Sequence, residues 1–101
     1  MVEFDYEGRH YKLGFNRKTA AAIERAGYSN EAIDKMPNVV IPLLVQGAFQ
    51  LNHKHLRSDE IDEIFGGLKD RDGFVAALIK EYNKTFETLM SESGEIEWTA
   101  T

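Results

Sequence analysis

Apolar and polar residues alternate strictly at the start of the chain. Val2, Phe4 and Tyr6 fall on one side of a period-two pattern, and Tyr11, Leu13 and Phe15 do the same after a break. Glu7-Gly8-Arg9 lies between the two runs, and Gly8 can take a positive φ without steric cost. The pattern predicts a β-hairpin. Two strands alone are barely stable in water, so one face must pack on the rest of the chain.

After Phe15 the period changes to that of a helix. Asn16 is a helix-start residue, and the run Thr19 to Ala26 follows it. Gly27 reads as the left-handed residue past the C-terminus, with Tyr28 folding back onto the helix. Ser29 or Asn30 is expected to cap a short helix from Glu31 to about Met36, stopped by Pro37. A third helix is expected from about Asn38, with Pro42 tolerated in its first turn. Ile41, Leu44, Val45, Ala48, Phe49 and Leu51 make it the most hydrophobic segment and the spine of the core.

Ser58, followed by Asp59, Glu60 and Asp62, marks another helix start, because acids in a first turn suit the helix dipole. Ile61, Ile64, Phe65 and Leu68 supply its apolar face, and Gly66-Gly67 ends it. A charged loop, KDRD, leads to a last helix for which Asp72 is the expected cap. Phe74, Val75, Leu78, Ile79, Tyr82, Phe86, Leu89 and Met90 recur along that helix at three and four residues. The stripe is longer than a small core needs. The predicted fold is α+β, an N-terminal β-hairpin packed on a bundle of about five α-helices. Residues 1–91 read as a single domain, and 92–101 as a flexible acidic tail in which Ile96 and Trp98 stand out as apolar.

Composition narrows the function. The 101 residues carry a formal charge of −5, from 12 basic and 17 acidic side chains. No basic face for phosphate neutralisation is evident, so neither nucleic acid nor a membrane surface is the expected partner. The chain has no cysteine, which removes thiolate chemistry and fits a reducing compartment. The longest apolar run, VVIPLLV, is too short to span a bilayer. A cytoplasmic protein is expected.

The candidates for chemistry are thin. His53 and His55 in NHKHLRSDE could both reach a metal from an extended backbone, with Asp59 or Glu60 as a third ligand. The plainer reading is a polar helix end, where a histidine complements the C-terminal dipole. Acid pairs such as Asp59/Asp62/Glu63 and Glu95/Glu97 would need a shaped cleft to act as acid and base. LKDRDG lacks the alternating acids and closing glutamate of a calcium loop, and GGLKD is not a phosphate loop. Ser29, Ser58, Ser91 and Ser93 sit at expected caps or in the tail, without a nucleophile elbow. No catalytic, cofactor-binding or metal-binding residue is assigned. Protein contact is the expected business of the chain, through Phe74, Leu78, Tyr82, Phe86 and Leu89 on the last helix and through a hairpin edge formed by His10, Tyr11, Lys12 and Leu13.

The stretch FDYEGRHYKLGFNRKTAAAIERAGYS, with its hairpin and its helix ending in IERAGYS, resembles the tail assembly chaperones of siphophages and related prophages. The later segments LRSDEIDEIF and GFVAALIKEYNKTFETLM fit the same layout. The resemblance implies a non-enzymatic protein of the host cytoplasm. Its partners would be the tape-measure protein and the major tail (tube) protein, with possible self-association, and it would be absent from the finished virion. It also implies that a longer form can arise by translational frameshift near the C-terminus. The rival expectation is a small acidic regulatory module, an anti-repressor or antitoxin-like adaptor, whose partner would be basic.

Overall fold

In the computed structural model, which describes residues 1–90 and 94–100, two antiparallel strands are followed by five helices. The strands are β1 (Val2–Tyr6) and β2 (Arg9–Leu13); the helices are α1 (Arg17–Arg25), α2 (Ala32–Lys35), α3 (Pro37–Gln50), α4 (Ser58–Gly66) and α5 (Arg71–Leu89). The α+β class and the hairpin-plus-helices order are those that the patterning predicts. The proposed domain boundary at residues 91 and 92, Ser91 and Ser93 lie outside the described residues. Gly94–Ala100 forms neither helix nor strand.

The hairpin pairs Val2 with Leu13, Phe4 with Tyr11 and Tyr6 with Arg9. Glu7 and Gly8 both have positive φ, 50° and 78°. That is the two-residue turn whose twist matches the strands, and Glu7 shares in it although only Gly8 is expected there. Phe15 falls outside β2, because the Gly14 N–H donates to the Ala48 carbonyl at 3.3 Å and turns the chain onto α3.

Asn16 caps α1 as expected. Its side chain accepts from the Thr19 N–H at 2.8 Å, and the Thr19 hydroxyl accepts from the Asn16 N–H at 3.0 Å. At the other end Gly27 has φ 111°. The Tyr28 N–H reaches back to the Ile23 carbonyl and the Gly27 N–H to that of Glu24, a Schellman ending.

Three helix starts differ from expectation. Pro37 opens α3 at its first position rather than only stopping α2, which puts Pro42 inside the helix. Its ring removes one bond to the Asn38 carbonyl, and Asn38 is exposed, so water can take that carbonyl's place. Arg57, not Ser58, occupies the α4 cap position, where its N–H donates to Glu60 Oε1 at 3.1 Å. Asp70, not Asp72, caps α5: its side chain accepts from the Gly73 N–H at 3.2 Å, and a Cβ at residue 73 would strike that carboxylate. Gly73, one residue beyond the expected cap, leaves room for the Asp70 carboxylate, and the cap falls two residues earlier than expected.

α3 is the spine. Val40, Leu44, Ala48 and Phe49 are fully buried, joined by Leu13 from β2 and Leu78 from α5. α1 crosses α3 closely at Gly47, where a Cβ would collide with Ile23 Cγ2. Phe4 links the hairpin to both long helices, with ring centroids 6.4 Å from Phe49 and 6.0 Å from Phe74. Edge-on contacts of this kind add to plain area burial.

Candidate protein-docking surface

The burial pattern divides the expected contact residues. Leu78 and Tyr82 are buried, as are Tyr11 and Leu13, so none of the four offers a surface. Phe74 is half-buried among Phe4 and Phe65. The reason is coverage: α3 and α1 pack against α5, and the hairpin closes over its first half. Phe86 and Leu89 remain exposed, at 44% and 57%, and Met90 beside them at 80%. Excess apolar stripe therefore exists, but only in the last turns of α5.

Those turns form one wall of an open groove. The other wall is α1, contributing Arg17, Ala20, Ala21 and Glu24. The small alanines let the floor stay shallow. Sequence reasoning missed this α1 wall, although the run Thr19-Ala20-Ala21-Ala22 is a signal that a neighbour can approach closely. Tyr82 closes the inner end: its hydroxyl donates to Glu24 Oε2 at 2.5 Å, and its ring lies 5.8 Å from Phe86. Burial and the adjacent Glu24 carboxylate push the Tyr82 phenol well above its ordinary range. Tyr28, packed 5.0 Å from the Tyr82 ring, is pushed up to about 12 by burial alone.

Charge around the groove is uneven. Glu81 is nearly buried, paired with Lys84 at 2.6 Å and with the Met1 ammonium. Hydrogen bonds from Lys84, then from that ammonium, hold its carboxyl below the usual range. Glu24 is held by Tyr82. Arg17 and Lys18 make no ion pair among the described residues.

The hairpin edges also differ from expectation. The Lys12 N–H donates to His53 Nε2 and the Lys12 carbonyl accepts from Asn52, so the outer edge of β2 is covered at Lys12. Pairing alternates along an antiparallel ladder, so outward-facing backbone at Lys12 places outward-facing backbone at its partner Glu3 and at Asp5. Among the described residues no backbone bond covers β1 at Glu3 or Asp5, whereas the β2 edge, the expected contact edge, is covered at Lys12. The side chains of Glu3 and Asp5 bind the two ring nitrogens of His10, at 2.9 and 2.8 Å.

The metal candidate is not assembled. His53 Nε2 faces the Lys12 amide and its ring lies 5.1 Å from that of Tyr11. Among the described residues no group of three or more histidine, aspartate or glutamate side chains could hold an ion. Among them, too, no helix is long and apolar enough to cross a membrane.

The fold and surface define a hairpin-capped helical protein with an open apolar groove between α1 and the end of α5. The chain belongs to the family described as Domain of unknown function (DUF5055), which matches it over residues 1–101. No curated protein and no solved structure matches it.

Proposed function

We propose that this chain is a phage tail assembly chaperone. It is a non-enzymatic protein that binds helices of the tape-measure protein and promotes assembly of the tail tube from the major tail protein. The observation that carries the reading is the apolar end of α5. Phe86 and Leu89 stay exposed beside the alanines of α1, and Met90 is exposed at the end of the helix. A groove with a small-residue wall and a large-residue wall suits an amphipathic helix, which supplies anchors at three- and four-residue spacing. The resemblance of the hairpin and α1 segments to tail assembly chaperones supplies the client. A tape measure is long and helical, so many weak contacts along it add up through effective concentration.

Co-expression with the tape-measure protein tests this. The chaperone keeps its client soluble, and Phe86→Asp with Leu89→Asp abolishes that effect while leaving the fold intact. A client that stays insoluble with the unaltered chain, or soluble without it, rejects the reading.

The β1 edge, uncovered at Glu3 and Asp5 among the described residues, favours a second reading, the acidic regulatory module. Glu3 and Asp5 on that edge would suit a strand carrying lysine or arginine. Such binding weakens sharply as salt rises, whereas apolar docking in the α1/α5 groove does not.

A further inference from the structure

The α1/α5 groove does not end at Arg17. Arg17 and Thr85 line it, and they also line the pocket beyond, between the start of α1 and the second half of α5. Lys18 and Lys84 complete the basic side of that pocket. Among its described lining residues Glu81 is the one acid, and it is already answered by Lys84 at 2.6 Å and by the Met1 ammonium. Arg17 and Lys18 are exposed and make no ion pair among the described residues. The positive end of the α1 dipole adds to them. Lys84 joins them from a distant part of the chain, so folding assembles a basic pocket that sequence order does not show. Locally it reverses the −5 charge of the whole. At the far end of the groove Glu24 is faced by the Tyr82 hydroxyl, which is neutral and leaves the carboxylate uncompensated. Arg17 and Glu24 lie two turns apart on α1, about 10 Å. The apolar strip between them therefore runs from a positive end to a negative one.

We propose that the client's docking helix carries acidic side chains in the turn beyond its apolar anchors, and that these acids sit among Arg17, Lys18 and Lys84. The anchors cover Phe86 and Leu89 in the groove. The acids pass over Arg17 into the pocket and stay clear of Glu24. The proposal rests on the helix-docking reading given above and adds the client's charge and its register. An acid placed over Glu24 is repelled, and an acid one turn past Arg17 is drawn in, so the helix settles at one position along the groove. An acidic protein helix is favoured over nucleic acid. Phosphate backbones bind through rows of cations. Here the cations gather in one pocket that opens into an apolar groove, and those walls call for an apolar partner surface beside the charge.

Dye-labelled synthetic amphipathic helices test this against the full chain by fluorescence anisotropy. Three peptides share their leucine and phenylalanine anchors and differ only in the following turn, which carries two glutamates, two glutamines or two lysines. The glutamate peptide binds roughly fivefold more tightly than the glutamine one, the size expected of two exposed ion pairs. The lysine peptide binds most weakly. Net charge alone gives the opposite order for a chain at −5. Rising salt removes the differences and leaves the shared apolar docking. Arg17→Glu with Lys18→Glu inverts the order. Acids in the first turn of α1 suit its dipole, so the variant keeps its fold, and circular dichroism checks this. Phe86→Asp with Leu89→Asp weakens all three peptides. Equal binding of the three, or the opposite order, overturns the proposal and leaves the groove reading standing. Binding by none of them rejects both. A short DNA duplex that still binds the Phe86→Asp, Leu89→Asp chain, and is lost with Arg17→Glu and Lys18→Glu, also overturns the proposal, because the cations then serve phosphates without the groove.

Discussion

The backbone N–H of Lys12 donates to Nε2 of His53 at 3.1 Å, joining residues 41 positions apart in sequence. That one bond accounts for three features. It covers the β2 edge at Lys12, while β1 has no such cover at Glu3 or Asp5 among the described residues. It assigns His53 the tautomer with the proton on Nδ1, since Nε2 must accept. It also takes from a metal the nitrogen that faces the hairpin.

Replacing His53 by alanine therefore exposes the Lys12 amide and removes ring contacts with Tyr11 and Phe49. The expected loss is about 1–2 kcal/mol of stability, the size of an abandoned hydrogen bond to a partly covered donor. Denaturant unfolding measures it, and hydrogen exchange should speed up at Lys12 before the rest of the hairpin. An unchanged midpoint would mean that the edge is held by Asn52 alone.

His10 and His53 should titrate in opposite directions. Hydrogen bonds to Glu3 first, then Asp5, raise the His10 value above the ordinary 6.5. Burial first, then the neighbouring His55, lowers that of His53. The sign follows by linkage. The His10 contribution is complete below 6.5 and is lost as pH rises through its raised folded value. The His53 contribution is complete above 6.5 and is lost as pH falls through its lowered folded value. Together they give a shallow optimum near pH 6.5. Following the two rings by NMR across that range checks it, and a His53 midpoint above that of His10 contradicts it.

Gly47→Ala should destabilise by about 1–3 kcal/mol, the usual effect of forcing a methyl into a packed contact. The new Cβ meets Ile23 Cγ2, with Phe15 close behind. Ile23→Ala removes the obstructing atom, so the double variant should lose less than the sum of the single ones. Strict additivity in thermal or chemical unfolding would show that α1 and α3 do not meet there.

Leu78 and Phe86 lie on one helix and should behave unlike each other. Leu78→Ala opens a cavity in the centre of the core and costs about 2–5 kcal/mol. Phe86→Ser, at an exposed position, costs about 1 kcal/mol or less. Client solubilisation should follow the reverse order, with Phe86→Ser impairing it more than its stability loss explains. Equal stability losses at the two sites would place Phe86 in the core.

Much of the fold was legible because its signals are local. Alternation around Gly8, the Asn16 cap and the Gly27 ending each depend on neighbours within a few residues. The starts of α4 and α5 turn on which backbone N–H a nearby carboxylate reaches: Glu60 reaches that of Arg57, and Asp70 reaches that of Gly73, where the missing side chain leaves it room. The contact set was only partly legible. A helical stripe says which side chains share a face but not how far along the helix its neighbours reach.

Taken alone, the order of residues determined a hairpin, five helices, an apolar spine in α3 and an acidic exterior, since strand and helix periods are properties of the chain itself. Tertiary structure decided which apolar residues stay uncovered and which strand edge is covered. α1 and α3 bury Leu78 and Tyr82 but stop short of Phe86 and Leu89, and His53 reaches β2 rather than β1. Coverage depends on where elements distant in sequence come to rest, and no periodicity encodes that.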